Sequence, residues 1–204
     1  MFTKKDETPL NSYSREDTIQ DITVYQTLYG ENAETAATDA ANAMNELSQL
    51  IDFEEDGSDI QKLNQAAGLD WISLDSRTIS ILDKAEKVAQ DSGGAFSPTI
   101  VPILNLWGFS GSNPSVPTQE KIEQFLPYVD YQNLRVDTQE NIASLKMRYS
   151  SVSLDGVYNG ALCESAVSSY QTSGVAAGII TVGNSVGVYG TKPDGSKWTL
   201  AVKN

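Results

Sequence analysis

The sequence predicts an α+β fold, and two observations lead to that prediction. Apolar stripes with helical spacing are inserted between short β-rich runs, and most of those runs are joined by polar turns as antiparallel hairpins. The chain has 204 residues, 40% of them hydrophobic and 20% charged, which suits a globular chain that buries its own core. We therefore expect helices packed on mostly antiparallel sheet.

The first elements along the chain are a leader, a strand and a long helix. Residues 1–16 are polar and aperiodic, so we expect a loose leader there. The β-branched and aromatic run 18–29 ends at Gly30 and predicts one strand. Apolar residues then recur at spacings of three and four, which predicts a helix with one core face. That face consists of Ala37, Ala40, Met44, Leu47 and Ile51.

Three further helices and five short strands follow, each bounded by capping residues, Gly, Pro or a polar turn. The helices are predicted at about 76–92, between Thr118 and Pro127, and at about 159–172. The strands are predicted at 134–136, 142–147, 179–182, 186–189 and 198–202. Because no linker is long enough to divide this pattern, residues 17–204 are expected to form a single domain.

Composition excludes several classes of function. With 14 basic and 27 acidic residues the net charge is −13, which argues against nucleic acid or an anionic membrane as partner. The chain contains no histidine, so an imidazole base and a histidine zinc ligand are both excluded from it. The lone Cys163 permits no internal disulfide and is expected to be a small buried residue. No apolar run reaches the length of a membrane span, so we expect no membrane insertion and a soluble chain as given.

The acidic run 52–59 has some spacing of a calcium loop, with Asp52, Glu54 and Asp56 at the first, third and fifth positions. The twelfth position is Leu63, where such a loop needs a bidentate glutamate. We therefore interpret the run as a solvated loop in which Ser58 caps a short helix.

Several motifs, each weak alone, occur in one order along the chain. They are Asp17-Thr18, Leu28-Tyr29-Gly30, Gly57-Ser58-Asp59-Ile60 with Leu63-Asn64, Gly94-Ala95-Phe96-Ser97-Pro98-Thr99, Leu106-Trp107-Gly108-Phe109, residues 154–160, Gly174-Val175, Val182-Gly183 and residues 190–198. In this order the chain, from about residue 14 to its end, resembles the ApbE-like flavin transferases (FAD:protein FMN transferases, formerly called thiamine biosynthesis lipoproteins). The resemblance implies a T-fold-like antiparallel sheet with packed helices.

The resemblance also implies a chemistry. Members bind FAD with a divalent metal, usually magnesium, and transfer FMN to a Thr or Ser hydroxyl of a target protein. It implies a flavin-accepting protein as partner, and a bacterial, extracytoplasmic or membrane-anchored location for the full-length form. The resemblance implies one metal contact, the backbone carbonyl of Gly156. The cofactor contacts that it implies are Phe53, Ala95, Phe96, Ser97, Ser153, Asn159 and Gly160.

Several of these positions depart from the family pattern. Ser97 stands where the family has Asp, Phe53 lacks a hydroxyl, Ser153 replaces an acidic residue and Asn159 replaces Lys or Glu. Family members also continue beyond the strand that ends here, into a segment with further metal ligands, so we expect an incomplete domain. Two hypotheses follow. The first is a divergent, catalytically impaired transferase, that is, a pseudoenzyme. Such a protein would reuse the fold as a flavin-binding module or as a protein-interaction module. The second is an active transferase whose remaining part lies elsewhere.

Overall fold

The computed structural model describes residues 11–109 and 114–200, and within them helices alternate with antiparallel strands. The strands are β1 (Ser12–Ile19), β2 (Ile22–Tyr29), β3 (Ile72–Ser73), β4 (Leu134–Asp137), β5 (Ile142–Leu145), β6 (Ala177–Val182) and β7 (Ser185–Gly190). The helices are α1 (Ala33–Ile51), α2 (Asp59–Gln65), α3 (Ser76–Asp91), α4 (Val101–Trp107), α5 (Gln119–Phe125) and α6 (Asp155–Ser173), with 3₁₀ turns at Leu126–Tyr128 and Tyr131–Asn133. The predicted α+β class is confirmed.

The described chain divides into two compact units. One unit contains residues up to 48 and from 159 onward, and the other contains residues 49–158. The boundaries fall inside α1 and α6, which are continuous helices, so no linker in the sequence marks them.

The first unit contains a four-stranded antiparallel sheet in the order β1-β2-β6-β7. Alternate residues of β2, namely Val24, Gln26 and Leu28, are buried, as the period-2 geometry of a strand requires. The predicted core face of α1 is confirmed, because all five of its apolar residues are at most 3% exposed. Cys163 on α6 is buried as predicted, and this burial raises the pKa of its thiol.

The start of the chain differs from the prediction. Residues 12–16, predicted as part of a loose leader, belong to β1, which pairs with β2 from Ser12↔Tyr29 to Ile19↔Ile22. The single strand predicted at 18–29 is therefore a hairpin, which turns at Gln20 with φ of 53°. The sequence does not indicate β1 as a strand because its composition is polar. Seven of its eight residues are exposed or only partly buried.

The second unit contains a three-stranded antiparallel sheet in the order β3-β5-β4, with α2 and α3 among its helices. Asp75 caps α3 by accepting a hydrogen bond from the Arg77 backbone N–H. Ser58 likewise caps α2 by accepting from the Gln61 N–H, which confirms that prediction.

Two other predictions differ from the structure. Helix α4 was not predicted, since its short run of apolar residues shows no helical period. Trp198–Leu200 form no strand, and the rest of the strand predicted at 198–202 lies outside the described residues. Among the described helices, none is both long and apolar enough to span a bilayer.

Candidate functional site

Two of the sequence-predicted segments meet in the second unit. The loop after α3 carries Phe96, whose ring lies against Gly156 in the first turn of α6: a Cβ placed on Gly156 would be 2.5 Å from Phe96 Cε2. The Ser153 backbone N–H donates to the Pro98 carbonyl at 2.9 Å. The structure therefore brings Phe96, Ser153 and Gly156 together, and a glycine is needed for the ring to approach so closely.

The hydroxyl of Ser97 is held by the protein itself. Its Oγ donates to the Val129 carbonyl at 2.9 Å and lies 2.9 Å from Oγ1 of the fully buried Thr99. Because the Ser97 proton points to Val129, the Thr99 hydroxyl is the donor in the second bond. The Ser97 hydroxyl is thus bonded both to Thr99 in its own loop and to Val129, which lies outside that loop.

Ser153 begins α6. It is 3% exposed, and its Oγ accepts a hydrogen bond from the Asp155 backbone N–H at 3.1 Å. The helix consequently starts at Asp155, four residues before the predicted start at Asn159. Gly156 therefore lies within the first turn of α6.

The remaining predicted contacts of this unit are less enclosed. Ala95 is exposed, and its N–H donates to the Ser92 carbonyl at 3.3 Å. Phe53 is half-buried in the loop between α1 and α2.

The acidic run that contains Phe53 ends in a structural carboxylate. Asp59 is 5% exposed and accepts hydrogen bonds from the Asp75 N–H at 2.7 Å and the Thr78 hydroxyl at 3.0 Å, which ties α2 to the start of α3. The Lys62 ammonium lies 3.3 Å from its other oxygen. Residues 11–109 and 114–200 hold no group of three or more His, Cys, Asp or Glu residues placed to bind one metal ion.

Asn159 lies in the first unit, at the end of the four-stranded sheet. Its Nδ2 is 2.8 Å from a Cβ placed on Gly183, which has φ of 54° in the turn between β6 and β7. Around it is an open pocket of about 340 Å³, lined by Asp21, Ile22, Thr23, Tyr25, Asn159, Thr181, Gly183 and Asn184. Of this lining, the sequence analysis named Asn159 and Gly183; the residues of β2 and β6 were missed because their proximity depends on the pairing of those two strands.

Gly160 has free space beside it, since a Cβ placed there would meet nothing within 4 Å. None of the eight sequence-predicted site residues has an ionisable side chain. These residues can therefore hold a ligand by shape, ring contact and neutral hydrogen bonds. They cannot take up a proton or neutralise the charge of a phosphate.

Comparison with known proteins gives one family. The model of the ApbE family matches residues 17–204. A protein named FAD:protein FMN transferase from Vibrio cholerae serotype O1 is 21% identical over 174 residues, which are 84% of this chain and 52% of that protein. One of the same name from Escherichia coli K12 is 23% identical over 159 residues, 76% of this chain and 45% of that protein.

Solved structures agree in fold. The crystal structure of an ApbE protein from Thermotoga maritima superposes with a TM-score of 0.85 at 25% identity, over 95% of this chain and 64% of that one. The apo flavinyl transferase ApbE of Pseudomonas stutzeri gives a TM-score of 0.86 at 19% identity, over 97% and 64%. The chain spans about half the length of the curated relatives it matches. On the family match, which covers most of its length, the chain belongs to the ApbE family.

Proposed function

We propose that this chain is a divergent, catalytically impaired relative of the FAD:protein FMN transferases, and that by itself it binds FAD weakly and does not transfer FMN. The observation that carries the proposal is the junction of Phe96 with Gly156, at two segments that resemble the family's cofactor contacts. In that junction the carboxylate of the family pattern is replaced by the internally bonded Ser97.

The reaction of the family sets out what such a site must supply. An acceptor hydroxyl oxygen attacks the phosphorus of the FMN moiety, the bond from that phosphorus to the bridging oxygen of the diphosphate breaks, and AMP leaves. The hydroxyl proton needs an acceptor, and the diphosphate charge needs a cation. Among the eight predicted site residues there is neither an anionic base nor a cationic side chain.

Magnesium, when bound in the family, supplies that cation, but the residues carried over to this chain do not fit it. Magnesium takes six oxygen ligands in octahedral geometry. Gly156 is the one metal contact carried over, and its carbonyl lies within the first turn of α6. We therefore assign no step to a metal in this chain.

FAD suits the predicted residues better than the metal does. Phe96 offers an aromatic ring that is still half-exposed beside Gly156, and Ala95 is an exposed small residue next to it. Aromatic stacking and close backbone approach are available for a planar ligand. We expect a dissociation constant no better than micromolar, because no charged group of the site meets the diphosphate.

A non-enzymatic flavin-binding or protein-interaction module is the second candidate. The bonding of Ser97 favours it, since a hydroxyl committed to Val129 and Thr99 has a structural role rather than a chemical one. A fragment-like part of an active transferase, completed by chain outside this sequence, is the competing hypothesis. By resemblance to the family, we propose a bacterial, extracytoplasmic or membrane-anchored location for the full-length form.

The test uses the protein with FAD, magnesium and an acceptor protein that carries the family's Thr-containing target segment. We expect no flavin fluorescence fixed to the acceptor on a denaturing gel, whereas the Vibrio cholerae relative in parallel should label it. A labelled acceptor band at substoichiometric amounts of this protein contradicts the proposal. The double change Ser97→Asp with Asn159→Lys should remain inactive, since residues 11–109 and 114–200 hold no group of three or more His, Cys, Asp or Glu residues placed to bind a metal ion.

FAD binding is measured separately, by quenching of flavin fluorescence. Phe96→Ala should weaken it about tenfold or more, and the control Phe109→Ala, which alters a ring that is 65% exposed in the same unit, should leave it unchanged. Equal affinity of the Phe96 variant and the parent protein would remove the cofactor site from the place we propose.

A further inference from the structure

A row of three side chains crosses the outer face of the three-stranded sheet in the second unit. Arg135 on β4 pairs with Ser144 on β5, and Trp71 directly precedes Ile72, which pairs with Ala143. Antiparallel register therefore places Trp71, Ser144 and Arg135 side by side on one face. The opposite face carries the core residues Leu134, Ala143 and Leu145, each at most 2% exposed.

Arg135 extends along this row toward Trp71. Its Cζ lies 4.9 Å from the centre of the Trp71 ring, which is within the range of a cation–π contact. A guanidinium that rests on an aromatic face keeps its N–H groups at the edge of the plane. Those N–H groups form the fork that recognises carboxylate and phosphate.

Two polar atoms in the row have no hydrogen-bond partner among the described residues. They are Arg135 Nε and Ser144 Oγ, and both are buried. Ser144 is 2% exposed although it lies on the outer face of the sheet. Buried donors without acceptors are rare in folded proteins, and here two occur on paired residues of neighbouring strands.

The nearby carboxylates are engaged elsewhere. Asp70 Oδ1 accepts from the Trp71 backbone N–H at 2.8 Å, and Asp137 Oδ1 accepts from the N–H groups of Gln139 and Glu140 at 2.9 and 3.0 Å. No carboxylate of the described residues forms an ion pair with Arg135. The row thus presents a cation and a hydroxyl donor whose natural complement, an oxyanion, is not provided by the described chain.

We propose that Trp71, Arg135 and Ser144 form a binding site for an oxyanion, a phosphate or a carboxylate group. Arg135 Nε–H and a terminal N–H donate to two oxygens of the ligand, and the Ser144 hydroxyl donates a third hydrogen bond. This site is separate from the residues proposed for flavin and does not depend on that function. Because the whole chain carries a charge of −13, non-specific attraction of anions does not contribute, so a saturable signal reports the site itself.

The experiment titrates inorganic phosphate, and in a second arm acetate, into the protein at constant ionic strength adjusted with sodium chloride. Trp107→Phe with Trp198→Phe leaves Trp71 as the single tryptophan, so its fluorescence reports the ring that Arg135 contacts. The ¹H–¹⁵N resonance of Arg135 Nε is followed in parallel. We expect saturation in the millimolar range, together with a shift of the Nε–H resonance and its slower exchange with water.

Variants separate the site from general charge effects. Arg135→Lys keeps the charge but removes the fork, and should weaken binding about tenfold or more. Ser144→Ala should weaken it about threefold to tenfold, because it removes one donor. The matched control Arg148→Lys alters an exposed cation of the same unit and should change the affinity less than twofold. Circular dichroism and thermal unfolding verify that each variant is folded.

Saturable binding of phosphate alone supports a phosphoryl ligand, and saturable binding of acetate as well supports a carboxylate of a metabolite or protein. The proposal is overturned by a linear response up to about 50 mM in both arms. It is overturned equally if Arg135→Lys binds as tightly as the parent protein, or if the Arg135 Nε–H resonance does not move.

Discussion

The contact of Phe96 with Gly156 predicts different effects for the same substitution at two glycines of α6. Replacing a glycine inside a helix by alanine raises the free energy of unfolding by about 0.5–1 kcal/mol, because glycine loses more backbone freedom on folding than alanine does. At Gly160 a Cβ meets nothing within 4 Å, so Gly160→Ala should stabilise the protein by that amount. At Gly156 the new methyl would lie 2.5 Å from Phe96 Cε2, and the ring must retreat by about 1 Å to reach normal contact.

The cost of that retreat follows from the area that the ring exposes. If about 40 Å² of apolar surface returns to water, the loss is about 1 kcal/mol at 25 cal/mol per Å². Gly156→Ala should therefore be neutral or slightly destabilising, about 1 kcal/mol less stable than Gly160→Ala. Urea denaturation monitored by circular dichroism gives both free energies of unfolding.

A Phe96→Ala background isolates the contact. Without the ring, Gly156→Ala should raise the free energy of unfolding as it would at any unstrained helical position. The difference between the effect of Gly156→Ala in the parent protein and in Phe96→Ala is the coupling energy of the contact. This comparison also removes differences in helix propensity between the two positions. A coupling energy below about 0.3 kcal/mol would refute the packing of Phe96 on Gly156 and, with it, the junction of the two cofactor segments.

Three further predictions concern stability. Leu47→Ala, at a residue 3% exposed, should cost about 2–5 kcal/mol in chemical denaturation, whereas a loss under about 0.5 kcal/mol would contradict the register of α1. Tyr170→Phe should lower the free energy of unfolding by about 1–3 kcal/mol. The Tyr170 hydroxyl donates to Gln26 Oε1 at 2.9 Å, and its loss leaves that buried oxygen unpaired. An unchanged unfolding midpoint would argue against the bond. Burial, with a smaller contribution from Asp83, raises the pKa of Glu86, so ionisation of Glu86 destabilises the folded state as pH rises through that pKa. The free energy of unfolding of Glu86→Gln should therefore be higher than that of the parent protein at pH 7. The difference should vanish below the ordinary pKa of glutamate.

Helices with a core face and caps could be predicted from the sequence because their information is local. The stripe of α1 and the Asp75 cap of α3 each lie within a few turns of chain. Strand β1 could not be predicted in the same way. Its residues bury little surface of their own, and they become a strand by pairing with β2.

The candidate site was only partly accessible to sequence reasoning. The motif order gave the family and the positions of Phe96 and Gly156, but their contact joins segments distant in the sequence. The start of α6 was predicted four residues too late, whereas Ser153 Oγ accepts the N–H of Asp155, the first residue of the helix. The row of Trp71, Ser144 and Arg135 had no sequence signal, since it exists only through the register of three strands.

The pairing of β2 with β6 has a consequence for how the protein is made. Val24 pairs with Val182, so the edge of β2 has no partner until about 150 further residues have left the ribosome. At about 5–20 residues per second this interval lasts roughly ten to thirty seconds. The residues 49–158 of the second unit are complete before that pairing becomes possible. During synthesis, the free edge of β2 in the early β1–β2 hairpin is therefore open to pairing with a strand of another nascent chain.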